Sequence, residues 1–137
     1  PLEDAFTAAA LSAKLTTRTA PIKAMLLNQS IVAGLGNIYV CEALHMAGIA
    51  PTMAGRDVPG ARIGPLVEAI KLVLTRAIAA GGSSLKDFVH PDGQLGYFSH
   101  QWRVYGREGA VCGVCDGPIS RIVQQGRSTF FCAHCQP

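Results

Sequence analysis

Apolar residues recur at the three- and four-residue spacing of an amphipathic helix through much of the first eighty positions. The longest run covers residues 63–78 and ends at the glycine pair 81–82, which terminates a helix. Shorter runs cover residues 4–15, with Asp4 as the expected N-cap, and residues 21–28, which begin at a proline suited to a first helical turn. This part of the chain is therefore predicted to be mainly α-helical.

Two closely spaced glycines interrupt the helical pattern. Gly34 and Gly36 cannot both sit comfortably inside a helix, so they predict a tight turn. Asn37 follows directly and precedes an apolar run over residues 38–47, which predicts a buried helix with Asn37 as its N-cap. The pattern is helix, two-glycine turn, helix, and a loop rich in proline and glycine over residues 51–64 leads to the longest helix.

The last third of the chain has a different pattern. Residues 83–109 resemble a loop, with a short helix expected at 99–104. Residues 119–123 and 128–131 are β-prone and are separated by a turn at Gln125 and Gly126, so they predict a small β-hairpin with Arg127 in its turn.

Four of the five cysteines lie in two C-x-x-C pairs that are separated by 16 residues. This spacing is typical of a four-thiolate zinc site, because each pair turns two sulfurs toward one point and a hairpin brings the pairs together. A closed set of four protein ligands leaves no position for water, so one structural zinc ion is expected rather than a catalytic one. The expected ligands are Cys112, Cys115, Cys132 and Cys135.

The two cysteine pairs could also form a redox dithiol or two disulfides, but their spacing favours metal over both. The other two side chains of this kind have simpler interpretations. His134 is interpreted as a bystander, because four sulfurs complete the site without it. Cys41, in an apolar helix, is interpreted as a buried thiol.

Composition restricts the function classes. The 137 residues are 49% hydrophobic and 15% charged, which indicates a globular chain. No apolar run approaches the ~20 residues that cross a bilayer, and no signal-peptide pattern is found, so we expect a soluble cytoplasmic protein without a membrane partner. A net charge of +3 and a pI near 8.8 permit nucleic-acid binding without arguing for it.

Four features of the chain have two interpretations each. The turn at residues 34–37 predicts either a phosphate clamp, in which glycines admit a DNA backbone to a helix N-terminus, or an ordinary helical hairpin, which the turn alone favours. Arg127 is either a phosphate ligand or a solvated turn residue. Lys23 is either a phosphate contact or a surface lysine, and Glu42 is either a buried hydrogen-bonding partner or a solvated side chain.

A series of motifs along the chain resembles the formamidopyrimidine-DNA glycosylase family, also called 8-oxoguanine DNA glycosylase. The resemblance covers essentially the whole chain, and the Asn-Ile-Tyr run with the terminal Cys-Gln favours this branch over the related endonuclease VIII branch. In chain order the motifs are PIKAMLL at 21–27, GLGNIY at 34–39, GGSSLKDF at 81–88, GYF at 96–98, VYGR at 104–107, and the two cysteine pairs with Gly126-Arg127 and the closing Cys135-Gln136.

The resemblance implies a mainly α fold, in which a helix–two-turn–helix domain over residues 1–106 precedes a small β-hairpin zinc finger over residues 107–137. It implies that the chain, which we expect to be a monomer, grips damaged double-stranded DNA, with Asn37 and Arg127 on phosphates that flank the flipped lesion. It also implies that Arg127 assists the elimination step and that Lys23 and the loop at 83–97 lie near the damaged base. With the resemblance, the clamp interpretation of Asn37 and Arg127 overtakes the simpler one.

The start of the chain departs from the family pattern. Family enzymes begin Pro-Glu-Leu-Pro-Glu and use the proline amine as nucleophile and the next glutamate as acid, whereas this sequence begins Pro1-Leu2-Glu3-Asp4 and continues into a predicted helix. We therefore expect a DNA-binding module of a bacterial, nucleoid-associated repair enzyme without glycosylase or lyase activity alone. The alternatives are an active glycosylase completed by a separate or deleted N-terminal domain, and a zinc-stapled protein-interaction module.

Overall fold

The computed structural model describes residues 6–28, 35–79 and 102–137, without the side chains of residues 77–79. Within these ranges the fold is mainly helical with a C-terminal hairpin, as predicted. Gly34, the glycine pair 81–82 and the loop at 83–97 lie outside the described residues. The helices are α1 (Ala8–Leu15), α2 (Ile22–Leu27), α3 (Asn37–Ala47) and α4 (Gly60–Ala79), and the strands are β1 (Ser120–Gln124) and β2 (Arg127–Phe131).

Helices α3 and α4 pack along each other and form the centre of the core. α3 is buried over most of its length because it packs against α2, α4 and β2 at once. It ends at Gly48, whose φ of 71° is the left-handed conformation that glycine adopts without strain. The core is formed by Leu11, Leu15, Ile22, Leu26, Val40, Leu44, Ile49, Leu66 and Ile70, together with smaller neighbours.

Two predicted N-caps are wrong. α1 begins at Ala8, and its N-cap is Thr7 rather than Asp4, because the Thr7 hydroxyl accepts a hydrogen bond from the Ala10 amide at 3.1 Å. α3 has Gly36 as its N-cap, and Asn37 is the first helical residue. The Asn37 side chain does not cap the helix because its amide is engaged with the hairpin.

Two further boundaries differ from the prediction. The loop predicted to extend to residue 64 is shorter, because α4 already begins at Gly60. The Arg62 guanidinium in its first turn donates to the carbonyls of Ala47 at 3.3 Å and Gly48 at 2.6 Å, which holds that turn against the end of α3. The described part of the short helix expected at 99–104 is not helical, because a carboxylate binds its backbone amides.

That carboxylate belongs to Glu42, which is 2% exposed in the middle of α3. It accepts hydrogen bonds from the amides of Arg103 at 2.6 Å, Val104 at 2.9 Å and Tyr105 at 3.0 Å. Glu42 is therefore a buried hydrogen-bonding partner and not a solvated residue. It fixes the segment that leads into the hairpin on the side of α3.

The hairpin consists of the antiparallel strands β1 and β2, joined by a two-residue turn. Gln125 and Gly126 form the turn with φ values of 53° and 78°, the pattern of a type I′ turn, which matches the twist of the strands. The turn prediction is confirmed, but Arg127 is not in the turn. It is the first residue of β2 and pairs with Gln124. Among the described residues no helix is long and apolar enough to span a bilayer.

We expect Glu42→Gln to lower the free energy of unfolding by about 2–3 kcal/mol. The glutamine NH₂ group would face a backbone N–H that the carboxylate now accepts from, so that this buried backbone N–H would lose its acceptor. Urea unfolding of the zinc-loaded chain measures this change. Glu68→Gln, at an exposed position of α4, is the matched control and should change the same quantity by less than about 0.5 kcal/mol. Equal effects of the two substitutions would contradict the role of Glu42.

Candidate metal centre and nucleic-acid interface

The sulfurs of the two C-x-x-C pairs converge on one point. The sulfurs of Cys112, Cys115, Cys132 and Cys135 all lie within 4.8 Å of one another, which confirms the predicted cluster. Cys112 and Cys135 are 3.8 Å apart and Cys115 and Cys132 are 3.3 Å apart. Zinc–sulfur bonds of about 2.3 Å in a tetrahedron give edges of about 3.8 Å, so the cluster can bind one zinc ion after small adjustments.

The surroundings of the sulfurs also suit a metal. The amide of Val114 donates to the Cys112 sulfur at 3.5 Å, and the amide of Gly117 donates to the Cys115 sulfur at 3.4 Å. Such donors stabilise the negative charge of thiolates. All five cysteines are free, so the disulfide alternative does not describe this structure. His134 is exposed and is not part of the cluster.

A histidine that the sequence analysis did not single out lies against the metal centre. His45, in the third turn of α3, is 5% exposed, and its Nε2 is 3.4 Å from the Cys112 sulfur. Burial lowers the pKa of His45 to about 4, and the positive charges of Arg103 and Arg107 add to this shift.

The second cluster of polar side chains surrounds one carbonyl of the hairpin, that of Ser128. The Asn37 side-chain amide donates to it at 3.1 Å, and the Lys23 ammonium donates to it at 3.3 Å. These donors come from different helices, α3 and α2. The carbonyl therefore joins both helices to β2, one residue after Arg127.

Lys23 is 1% exposed, so the surface-lysine interpretation is wrong. Besides the Ser128 carbonyl, its ammonium donates to the Thr129 hydroxyl at 2.5 Å, which in turn donates to Gln124 at 2.8 Å. Burial lowers the pKa of Lys23; the nearby Cys41 opposes the shift and Arg127 adds to it. Cys41 is itself buried, as predicted, and burial raises its pKa.

The outer side of this cluster is open. Arg127 and Gly36 are both exposed. Among the described residues, a Cβ atom added at Gly36 would meet only the Tyr39 ring at 3.9 Å, an ordinary contact, and the φ of −90° suits any residue. The packing of the described residues therefore does not require a glycine here.

Two family models match the chain. The one described as the formamidopyrimidine-DNA glycosylase H2TH domain matches residues 1–89, and the one described as a zinc finger found in FPG and IleRS matches residues 109–137. The second match agrees with the four-cysteine cluster.

The curated relatives that the chain matches are named formamidopyrimidine-DNA glycosylase. The chain is 62% identical over 136 residues to a formamidopyrimidine-DNA glycosylase of Sphingopyxis alaskensis, and it covers 50% of that protein and 99% of its own length. It is 61% identical over 137 residues to the protein of that name from Rhizorhabdus wittichii, again covering 50% of it and 99% of its own length. The chain thus spans about half the length of the curated relatives it matches.

Solved structures show the same half. The MutM (FPG) protein of Thermus thermophilus superposes with a TM-score of 0.89 at 40% identity, over 99% of this chain and 52% of that one. The Lactococcus lactis Fpg in complex with DNA containing an abasic site superposes with a TM-score of 0.87 at 38% identity, over 96% of this chain and 48% of that one.

The purified chain should contain one zinc ion, and Cys132→Ser should lose it, because three thiolates and a hydroxyl form a weaker site. Elemental analysis after gel filtration gives the zinc content. The hairpin has little core of its own, so the zinc-free variant should also unfold at a lower temperature.

Cys41→Ser is the matched control, because Cys41 is also a buried cysteine but lies outside the four-sulfur cluster. It should retain its zinc. Loss of zinc from both variants, or from neither, would contradict the assignment of the ligands.

Proposed function

Because the chain belongs to the formamidopyrimidine-DNA glycosylase family, we propose that it is the damaged-DNA-binding part of a base-excision-repair glycosylase. Its ligand is double-stranded DNA, and it binds as a monomer in the bacterial cytoplasm, at the nucleoid. The helix–two-turn–helix domain over residues 1–106 and the zinc finger over residues 107–137 share this task. One observation carries the proposal: the Asn37 side-chain amide donates a hydrogen bond to the carbonyl of Ser128, the residue after Arg127.

The two proposed phosphate ligands have complementary chemistry. The Asn37 amide has two N–H donors and uses one on the Ser128 carbonyl, and among the described residues no acceptor is seen for the other, which we assign to a phosphate oxygen. Arg127 is exposed and presents a guanidinium that can donate two parallel hydrogen bonds to a phosphate. Since the amide is bonded to the residue after Arg127, both groups can face the same DNA backbone.

Lys23 is buried next to the strand that bears Arg127 and holds it in place. Its ammonium is bonded to the Ser128 carbonyl and the Thr129 hydroxyl, which fixes the strand that bears Arg127. The charge of the ammonium also adds to that of Arg127 in attracting an anion. We therefore assign Lys23 to the DNA-binding face as a positioning residue and a source of charge.

Gly36 leaves room for the DNA backbone. In the described part of the chain the space around its missing Cβ is open, and no side chain from that part caps the start of α3. A phosphate can therefore approach the helix N-terminus, where free amides and the helix dipole favour an anion. We assign the same role to Gly34 on the resemblance alone.

The second candidate is an enzyme, and the name of the curated relatives favours it. We propose that the 137 residues by themselves bind without cleaving, and borohydride trapping on abasic DNA tests this. A covalent adduct would show that an amine of the chain forms a Schiff base with the sugar and would support lyase chemistry. The resemblance gives Arg127 a part in the later elimination step, which strand cleavage and not the adduct would report. Absence of any duplex binding at low salt would instead favour a protein-interaction module.

Asn37→Ala and Arg127→Gln should each weaken binding of an abasic-site duplex at least about tenfold. Asn37→Ala removes one hydrogen bond to a phosphate, and Arg127→Gln replaces the paired guanidinium hydrogen bonds by at most one from a neutral amide. The salt dependence should separate them. Arg127→Gln removes a charge and should lower the slope of log K against log salt by about 1, whereas Asn37→Ala should leave the slope unchanged. Fluorescence anisotropy at several salt concentrations measures both quantities.

Arg62→Gln is the matched control for charge. Arg62 contacts the C-terminal end of α3, roughly 15 Å along the helix from Asn37. Glutamine retains a donor for the Gly48 carbonyl, so the variant should fold and bind with the slope of the unaltered chain. Unchanged affinity in both Asn37→Ala and Arg127→Gln would remove the proposed phosphate contacts.

Gly36→Ala should weaken binding of the same duplex at least several-fold, because the added methyl group occupies the space assigned to the DNA backbone. The cost to folding should stay below about 1 kcal/mol, since alanine is only a somewhat poorer N-cap than glycine. Gly64→Ala, in α4, is the control and should leave binding unchanged. Normal binding by Gly36→Ala would show that no backbone approaches there.

A further inference from the structure

The contact between His45 and Cys112 has a defined chemistry once the sulfur binds a metal. A zinc-bound thiolate has no proton and can only accept a hydrogen bond. A neutral imidazole has one N–H, on either Nδ1 or Nε2. The distance of 3.4 Å between Nε2 and the sulfur is that of a hydrogen bond to sulfur.

The surroundings of the ring decide which nitrogen has the proton. Nδ1 of His45 is buried and has no hydrogen-bond partner among the described residues. A proton there would leave a buried donor unpaired and would set a lone pair of Nε2 against the thiolate. A proton on Nε2 instead gives the thiolate a donor.

We propose that His45 is a positioning residue of the zinc centre, whose Nε2–H donates to the Cys112 thiolate and so joins α3 to the metal. This role belongs to the metal site and does not depend on the proposed DNA binding. Four thiolates around one Zn²⁺ leave a net charge of −2, which hydrogen-bond donors stabilise. The amides of Val114 and Gly117 come from the finger itself, whereas His45 is a donor from the helical domain.

The expected consequence is slower release of zinc. A donor to a bound thiolate makes it less basic and holds it in place, so its protonation and dissociation become less frequent. Removing such an outer partner typically weakens metal binding roughly 10- to 100-fold. Cys112 should be the most protected of the four ligands, because it is fully buried and has this extra partner.

The first experiment compares zinc transfer to a chromogenic chelator from the unaltered 137-residue chain, His45→Phe and His45→Gln. Phenylalanine retains an aromatic ring without a donor, and glutamine can place an amide N–H near the position of Nε2. We expect His45→Phe to release zinc at least about 10-fold faster and His45→Gln to restore most of the difference. Equal release from His45→Phe and the unaltered chain would overturn the proposal.

The second experiment uses only the unaltered chain, so it holds even if a variant fails to fold. In the ¹¹³Cd-substituted, ¹⁵N-labelled protein, the imidazole should show the Nε2–H tautomer and a through-bond correlation between its Nε2 proton and the metal. A merely space-filling histidine would not produce that correlation. An Nδ1–H tautomer without the correlation would overturn the proposal.

Discussion

One backbone carbonyl, that of Ser128, joins the helices to the hairpin. It accepts hydrogen bonds from Asn37 at the start of α3 and from Lys23 in α2. An isolated two-stranded hairpin is marginal in water, so β2 depends on such external partners for its position. Because Arg127 is the neighbouring residue, the same bonds also fix the stretch of strand from which its side chain extends.

Helix α3 connects this carbonyl to the metal centre through side chains along its length. At its start Asn37 bonds to the hairpin, in its middle Glu42 binds the segment before the finger, and in its third turn His45 contacts Cys112. At its end Gln136 returns to the helical domain, donating to the Ile49 carbonyl and accepting from the Cys132 amide. The finger is thus attached along the whole helix, and loss of zinc should loosen all of these contacts together.

The elements that sequence could predict are those with a local cause. The cysteine spacing, the Gln125-Gly126 turn and the apolar run of α3 each have a short-range pattern, and each is confirmed. The contacts that sequence could not predict are long-range. Nothing near Lys23 shows that residues more than a hundred positions away will bury it, and nothing near His45 identifies Cys112 as its partner. The wrong prediction of Asn37 as an N-cap has the same origin. The local pattern assigned its side chain to the start of α3, but that side chain binds the Ser128 carbonyl of the distant hairpin.

The most direct test of a shared face follows the side chains themselves during a titration. In the ¹⁵N-labelled chain, the side-chain amide of Asn37 and the Nε–H of Arg127 give separate NMR signals. Addition of a short abasic-site duplex should shift both signals along the same binding curve, with one dissociation constant. If only one signal responds, or if the two saturate at different DNA concentrations, the helix start and the hairpin do not hold a common backbone.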